Sequence, residues 1–223
     1  MGVVIAITII ILWLGHLVWA LTNVDVSLTN PWLYLHILIQ AHLTTGLFIT
    51  SHDAIHGTIS KNRKVNLIIG WATSLMYAFF PYTILRKNHY EHHKHPGTEQ
   101  DPDFNVKTQN FFLWWLGFLW HYTNIWQLVG FTISFNVLRI WIPGINIILI
   151  WFLPAFLSSL QLFYFGTYLP HKLPHENLTP KHKSRSQKKN HVWALLTCYF
   201  FGYHWEHHQY PNVPWWKLYQ KKD

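Results

Sequence analysis

Two long uncharged segments near the start of the sequence constrain the fold more than any other feature. Residues 3–22 and 31–50 contain no Asp, Glu, Lys or Arg. Each has the roughly 20 apolar residues that an α-helix needs to cross a bilayer. The first segment lacks the basic flank and small-residue cleavage site of a signal peptide, which favours a retained membrane span. The sequence therefore predicts an all-α integral membrane protein.

Two further apolar tracts are predicted to form a transmembrane hairpin. Residues 124–142 and 145–169 are separated by the dipeptide PG at 143–144, a pair that typically marks a turn. Together with the first two segments they predict four transmembrane helices. We expect residues 1–223 to form a single membrane-embedded domain.

Residues 66–86 are also apolar, but the histidines on either side argue against a fifth span. His52 and His56 precede this segment, and a cluster that begins at His89 follows it. A crossing segment would leave these clusters about 30 Å apart on opposite faces of the bilayer. Pro81 lies within the segment and disfavours one continuous helix. We therefore expect an interfacial or re-entrant helix that keeps the two clusters together.

The positive charge of the chain is concentrated in its second half. The formal net charge is +8, yet only 12% of the residues are charged, against roughly 25% in soluble domains. Residues 172–189 contain six cations and residues 217–223 contain three more. Basic loops beside apolar spans are typical of the cytoplasmic side of a membrane protein. We therefore expect a histidine-rich cap on the cytoplasmic face of a lipid bilayer, and no nucleic-acid partner.

Three histidine-rich sequences share a helical spacing. They are HDAIH at residues 52–56, HYEHH at 89–93 and HWEHH at 204–208. Positions i, i+3 and i+4 of a helix lie within about 100° of one another, so each set points to a common side. Burying so many imidazoles without partners would be costly, and metal coordination would satisfy them. The alternative is a solvated, histidine-rich surface. The candidate ligands are His52, His56, His89, His92, His93, His204, His207 and His208.

The number of imidazoles bears on the number of metal ions. Eight nitrogens exceed the four ligands of a structural zinc site and suit two ions with four or five ligands each. Imidazole binds Zn, Cu, Fe and Ni alike, so the ligand type leaves the metal open. His171 directly follows the fourth apolar tract and is expected as a ninth ligand, while His95 is left open. Asp53 is a candidate acceptor for an imidazole N–H, a helix cap being the alternative.

The histidine sequences and their surroundings resemble a known family. The three boxes are similar to those of the membrane fatty-acid desaturase and hydroxylase superfamily. The sequences HDAIHG, HPGTEQDPDF, FGTYLPH, LLTCYFFGYHWEHH and PNVPWWKL together resemble the bacterial-type β-carotene ketolases. The resemblance extends from about residue 45 to residue 218.

This resemblance implies a chemistry and a set of partners. Members of the superfamily hold two non-haem iron ions in the boxes and use O₂, so the nine histidines above are implied as iron ligands. The implied reaction converts C4 of a carotenoid β-ionone ring to a ketone by two hydroxylations and a dehydration. A ferredoxin-like protein is implied as electron donor, and the carotenoid would come from the bilayer. A membrane fatty-acyl desaturase or hydroxylase with the same centre is the alternative.

Residues near the boxes are weaker candidates for contact with a carotenoid. Asp101 and Asp103 are expected to order the turn after the second box, contact with a substrate hydroxyl being the alternative. The aromatic candidates for a polyene groove are Tyr77, Phe79, Phe80, Phe163, Phe165 and Tyr168.

Two other classes of metal protein fit the sequence less well. A metal transporter would place its histidines along a path through the membrane, and a haem protein would need facing pairs of axial histidines. Neither class fits histidine boxes that lie beyond the membrane spans.

Overall fold

The computed structural model describes residues 1–223 and contains helices but no strand. The helices of the first half are α1 (Gly2–Asn23), α2 (Pro31–Ile55), α3 (Arg63–Ala78), α4 (Tyr82–Lys94) and α5 (Phe111–Tyr122). Those of the second half are α6 (Ile125–Leu138), α7 (Gly144–His171), α8 (His191–Cys198), α9 (His204–Gln209) and α10 (Trp215–Leu218). The predicted all-α fold is confirmed.

Three helices are long and apolar enough to cross a membrane. They are α1, α2 and α7, of 22, 25 and 28 residues. The pair α3 and α4 would make a fourth if it counts as one span broken by a bend of 99°. Large apolar side chains such as Ile7, Ile11 and Val18 are exposed along α1, as expected of a helix surface that faces lipid. The structure therefore contains three to four candidate spans.

The structure differs from the sequence prediction at residues 124–142. The helix there, α6, has only 14 residues, fewer than the roughly 20 needed to cross a bilayer. It begins at a capping box in which the Asn124 side chain accepts from the Gln127 backbone N–H, and the Gln127 side chain accepts from that of Asn124. The apolar residues before this cap form the separate helix α5. The PG dipeptide does separate α6 from α7 as predicted.

Helix α2 is the central element of the fold. Asn30 caps its first turn by accepting from the Trp32 backbone N–H, and Pro31 occupies the first helical position, where a missing N–H costs nothing. α2 packs against α1, α3 and α7. Its second half is buried almost throughout, and it ends at the first histidine box. Packing around α2 therefore fixes the position of that box.

A sharp bend between α3 and α4 brings the second box to the first. Phe79 ends α3 in the left-handed region with φ of 52°, and Pro81 precedes the first residue of α4. Pro81 lacks a backbone N–H and prevents the helix from continuing. The chain turns back, and His56 Nε2 lies 2.7 Å from His89 Nε2. The two boxes are thus adjacent, as the interfacial or re-entrant interpretation requires.

Helix α7 contains two π-helical stretches, at Ile148–Phe152 and Phe163–Tyr168. Such widened turns are often found at functional sites. The second stretch ends three residues before His171, the last residue of α7. Gly166 lies within it at a close approach of the Phe201 ring, since a Cβ at Gly166 would come within 2.2 Å of that ring. This approach brings the end of α7 against the segment that leads into the third box.

Candidate metal centre

Four separate helices contribute histidines to one region of the molecule. The first box ends α2, the second lies in the last two turns of α4, the third forms α9, and His171 ends α7. The nine predicted histidines sort into two groups by the distances among their ring nitrogens.

The first group contains five histidines. Its contacts join Nε2 atoms: His52 to His207 at 3.1 Å, and His93 to His207 at 2.9 Å. The contact of 2.7 Å between His56 and His89 described above belongs to it as well. One ligand nitrogen from each member lies within 4.8 Å of all the others. The five-histidine group is His52, His56, His89, His93 and His207.

The second group contains four buried histidines. His208 Nε2 lies 3.1 Å from His92 Nε2 and 3.0 Å from His204 Nε2. The fourth member, His171, has a buried Nε2 without a hydrogen-bond partner. The four-histidine group is His92, His171, His204 and His208.

The duplicated HxxHH spacing supplies ligands to both groups at once. On a helix, residues i and i+4 are about 40° apart, whereas i+3 and i+4 diverge by about 100°. Accordingly His89 and His93 lie in the five-histidine group while His92 lies in the other. In the third box His204 and His208 share the four-histidine group, and His207 crosses to the five-histidine group. Each of the two HxxHH boxes thus extends between the two groups, a refinement of the prediction that its histidines share one side.

The spacing of the nitrogens fits two metal ions. Nitrogens bound about 2.1 Å from one ion at right angles lie about 3.0 Å apart, and the measured Nε2 contacts are 2.7–3.1 Å. In neutral imidazoles such contacts bring lone pairs together unless a proton or a cation lies between them. The residues present therefore fit two imidazole-bound transition-metal ions, one in each group.

Two hydrogen bonds orient members of the four-histidine group. His92 Nδ1 donates to Asp101 Oδ1 at 2.9 Å, and His171 Nδ1 donates to the Lys183 carbonyl at 3.1 Å. A proton fixed on Nδ1 leaves the lone pair on Nε2, which is the nitrogen that faces the centre. Asp101 also accepts from the backbone N–H groups of Gly97 and Asp103. It orders the turn, as predicted, and in addition holds His92.

Asp53 is held by the C-terminal segment more closely than by the first box. Its Oδ2 accepts from the Trp215 backbone N–H at 3.0 Å. Its Oδ1 lies 3.5 Å from His52 Nδ1, a distance at the outer limit of a hydrogen bond. The carboxylate thus links the end of α2 to the start of α10. A role in orienting His52 stays a prediction.

Burial favours the neutral, metal-binding form of the third box. His204, His207 and His208 are all buried, and desolvation, with the neighbouring imidazoles second, holds the pKa of each well below its usual value. A neutral imidazole has the free lone pair that coordination requires. The third box is therefore prepared to bind a cation near neutral pH.

Several other charged or histidine side chains lie outside both groups. Glu206 is buried and accepts from Lys222 Nζ at 2.9 Å and from Ser186 Oγ. His95 lies 3.8 Å from Glu91 and belongs to neither group. His182 is buried as well, with Nε2 2.9 Å from Gln209 Oε1. No sequence spacing pointed to His182, since the loop around it is polar and irregular.

An apolar cavity of about 310 Å³ leads to the histidines. His52 and His89 of one group and His92 and His204 of the other form part of its wall. Phe156 also lines it and is 49% exposed on the outer surface of α7. The remaining apolar lining includes Phe48, Leu85, Phe118, Phe131, Phe152 and Leu162. The cavity therefore connects the surface of an apolar helix with both histidine groups.

The aromatic residues predicted to line a groove divide between different places. Tyr77 and Phe80 line the cavity. Phe165 lines a second, more open crevice with His42 and Leu38. The others pack elsewhere, because their rings belong to helix contacts that sequence position alone does not reveal. Those outside the cavity lining are Phe79, Phe163, Phe165 and Tyr168.

Comparison with known proteins gives consistent matches over nearly the whole chain. The sequence profile described as "Fatty acid desaturase" matches residues 29–139 and 123–223. A β-carotene ketolase of Paracoccus sp. (strain N81106 / MBIC 01143) is 35% identical over 94% of this chain and 87% of its own length. A zeaxanthin 4-ketolase of Chlamydomonas reinhardtii is 36% identical over 97% of this chain. A β-carotene 4-ketolase of Haematococcus lacustris is 37% identical over 81% of this chain.

The matches differ in how much of each relative they include. The chain spans 52% of the Chlamydomonas protein and 59% of the Haematococcus protein. No solved structure matches the fold significantly.

Proposed function

The chain belongs to the β-carotene ketolases of the fatty acid desaturase family, and on this basis we propose that it oxidises carotenoid rings at C4. Two successive hydroxylations of the C4 methylene of a β-ionone ring give a geminal diol, which loses water to leave a ketone. β-Carotene would yield echinenone and then canthaxanthin. Zeaxanthin is a further candidate substrate, which would give astaxanthin.

One observation in the structure supports this proposal above the others. The cavity is apolar, is lined by His52 and His204 from the two groups, and reaches Phe156 on the outer surface of α7. A carotenoid is apolar and dissolves in the bilayer, so its ring would enter the cavity sideways without passing through water. The ring would then lie against the histidines.

Nine histidines would hold two non-haem iron ions. Five ligands come from the five-histidine group and four from the four-histidine group. Iron bound there would supply the reductive activation of O₂. For each hydroxylation one oxygen atom of O₂ enters the C–H bond, and the other leaves as water with two electrons and two protons from outside.

The protein's own residues bind the ring and exclude water. Phe48, Phe118 and Phe131 line the cavity and bury apolar surface of the ring, which stabilises binding by about 25 cal/mol per Å² removed from water. The same side chains keep bulk water from the oxidised carbon. Asp101 and the Lys183 carbonyl hold His92 and His171 in place through their Nδ1 atoms.

The basic segment of residues 172–190 lies against the four-histidine group. The Lys183 carbonyl accepts from His171 Nδ1, and the Gln187 backbone N–H donates to the Gly202 carbonyl. Lys181 and Lys188 point outward and are exposed. This arrangement supports a cytoplasmic position for the histidines and suits an acidic, ferredoxin-like electron donor. The proposal takes residues 1–223 as one multi-pass, membrane-embedded domain.

Expression in cells that make β-carotene tests the proposed function. We expect echinenone and canthaxanthin in the extracted pigments, identified by chromatography and mass. The His207→Ala variant serves as the control, because it lacks a member of the five-histidine group. Unchanged carotenoids with altered acyl chains would instead identify a fatty-acyl desaturase or hydroxylase.

A further inference from the structure

The cavity lining contains a single acidic side chain, that of Asp103. Its Oδ1 accepts a hydrogen bond from the Tyr122 hydroxyl, which also lines the cavity. Its Oδ2 receives no hydrogen bond and lies 3.7 Å from His92 Nδ1, a nitrogen that donates to Asp101 instead. One carboxylate oxygen therefore has acceptor capacity left at the histidine end of an apolar cavity.

The backbone of Asp103 is fixed on both sides. Its N–H donates to Asp101 Oδ1 at 2.9 Å, and its carbonyl accepts from Trp114 Nε1 at 2.9 Å. Trp114 is itself buried. With the backbone held and Tyr122 bound to Oδ1, the carboxylate has little freedom to turn toward another donor. Its remaining oxygen is available to a molecule in the cavity.

A partly buried carboxylate oxygen next to apolar walls favours a ligand that brings a hydrogen-bond donor. β-Carotene has no such group, but the product of its first hydroxylation has a hydroxyl at C4. We propose that Asp103 Oδ2 accepts a hydrogen bond from a hydroxyl group on the carotenoid ring. This inference rests on the proposed function, and it makes Asp103 a residue that selects and orients hydroxylated rings.

The position of Asp103 gives this contact a consequence for the reaction. Asp103 adjoins His92, so a ring carbon near the four-histidine group also lies near the carboxylate. A C4 hydroxyl bound by Asp103 points to the carboxylate beside His92 Nδ1 and not to the Nε2 atoms that face the centre, which leaves the second C4–H bond free to face them. The bound intermediate is then retained for its second oxidation before it escapes into lipid.

A hydroxyl on the neighbouring carbon, as in zeaxanthin, offers the same donor. The hydroxyl group that Asp103 binds is either the C4 hydroxyl of the intermediate or the hydroxyl of zeaxanthin. Feeding β-carotene alone, or a mixture of β-carotene and zeaxanthin, distinguishes the two. With β-carotene, the readout is the ratio of 4-hydroxylated to 4-keto products. With the mixture, it is the relative consumption of the two substrates.

The variant Asp103→Leu removes the acceptor and keeps the branching of the side chain, with two methyl groups in place of the two oxygens. Loss of a hydrogen bond to a charged group typically changes the binding equilibrium of the ligand by about 10-fold or more. We expect the hydroxy-to-keto ratio from β-carotene to rise by that factor. If only the preference for zeaxanthin falls, the acceptor serves the C3 hydroxyl, and the site is still supported. If neither ratio changes, the inference is wrong.

Two further variants separate this role from a structural one. Asp101→Asn weakens the hold on His92 but does not touch the cavity, so both oxidations should slow together with an unchanged ratio. If Asp103→Leu does not accumulate in membranes, the double variant Asp103→Leu, Tyr122→Phe is used in its place. It also removes the Tyr122 hydroxyl, which would otherwise lose its hydrogen-bond acceptor. A wild-type protein that forms no ketone would refute the proposed function itself, whereas an unchanged ratio beside normal ketone formation refutes this inference alone.

Discussion

His52 Nε2 lies 3.1 Å from His207 Nε2, although 155 positions separate the two residues in the sequence. The contact joins the end of α2 to α9, and His93 of α4 meets the same His207 nitrogen at 2.9 Å. His207 thus connects all three histidine boxes within the five-histidine group. Its removal should disrupt that group without touching the lipid-facing surface.

We expect His207→Ala to abolish ketolation while the protein remains in the membrane. His207 contacts histidines of both other boxes, so its loss should lower activity by at least about 100-fold. The measurement is keto-carotenoid per unit of membrane-bound protein. His95→Ala is the control, because His95 follows the second box closely in sequence but lies outside both groups. Ketolation that survives His207→Ala would show the ligand assignment to be wrong.

Asp101→Asn should lower metal occupancy. The carboxylate accepts from His92 Nδ1 and from two backbone N–H groups, and loss of such a supporting acceptor typically costs about 10–100-fold in metal affinity or activity. The iron content and ketolation of purified protein should fall together and recover partly with added iron. Glu99→Gln, an exposed change two residues away, should leave both unaltered. Full iron occupancy in Asp101→Asn would argue against the role given to Asp101.

Ala155→Phe should block the cavity without affecting the histidines. Ala155 lines the cavity on α7, and an aromatic ring there fills space that the substrate needs. Overpacking of this kind typically costs about 1–3 kcal/mol of free energy. Turnover of β-carotene should fall by about 10-fold or more while the iron content stays at the wild-type value. Ile148→Phe, on an exposed part of the same helix, is the control. Equal turnover by the two variants would show that the ring binds elsewhere.

Metal-free protein should become less stable as the pH falls below about 6.5. Burial lowers the pKa of His204, His207 and His208 in the fold, so the unfolded state binds more protons in this range. The free energy of unfolding then decreases as pH decreases. After chelation, the thermal midpoint in detergent should be lower at pH 5.5 than at pH 7.5, and less pH-dependent in His207→Ala. A higher midpoint at pH 5.5 would contradict this linkage.

Much of the helical frame was predictable because apolar runs have a simple physical requirement. Residues 3–22 and 31–50 had to form helices in lipid, since every backbone N–H and C=O must be paired there. The start of the tract at residue 124 agrees with the cap at Asn124, but the extent of α6 was not predicted, because hydropathy alone does not show that the helix ends at Leu138.

The clustering of the box histidines was predictable from their spacing, but the way in which they divide into two groups was not. The i, i+3, i+4 spacing identified the box histidines, and their place beyond the spans brought in His171. Helical spacing turns His92 about 100° away from His93, but which neighbouring helix completes each group depends on long-range packing, which local sequence does not reveal. The same is true of Asp103, whose place in the cavity follows from its contact with Trp114.

The metal content of purified protein tests the central claim most directly. We expect about two non-haem irons per chain, one for each histidine group, measured by elemental analysis together with the absorption spectrum. Substitution of His204 within the four-histidine group should reduce the content toward one. A wild-type content of one iron per chain, or a haem spectrum, would contradict the two-ion centre.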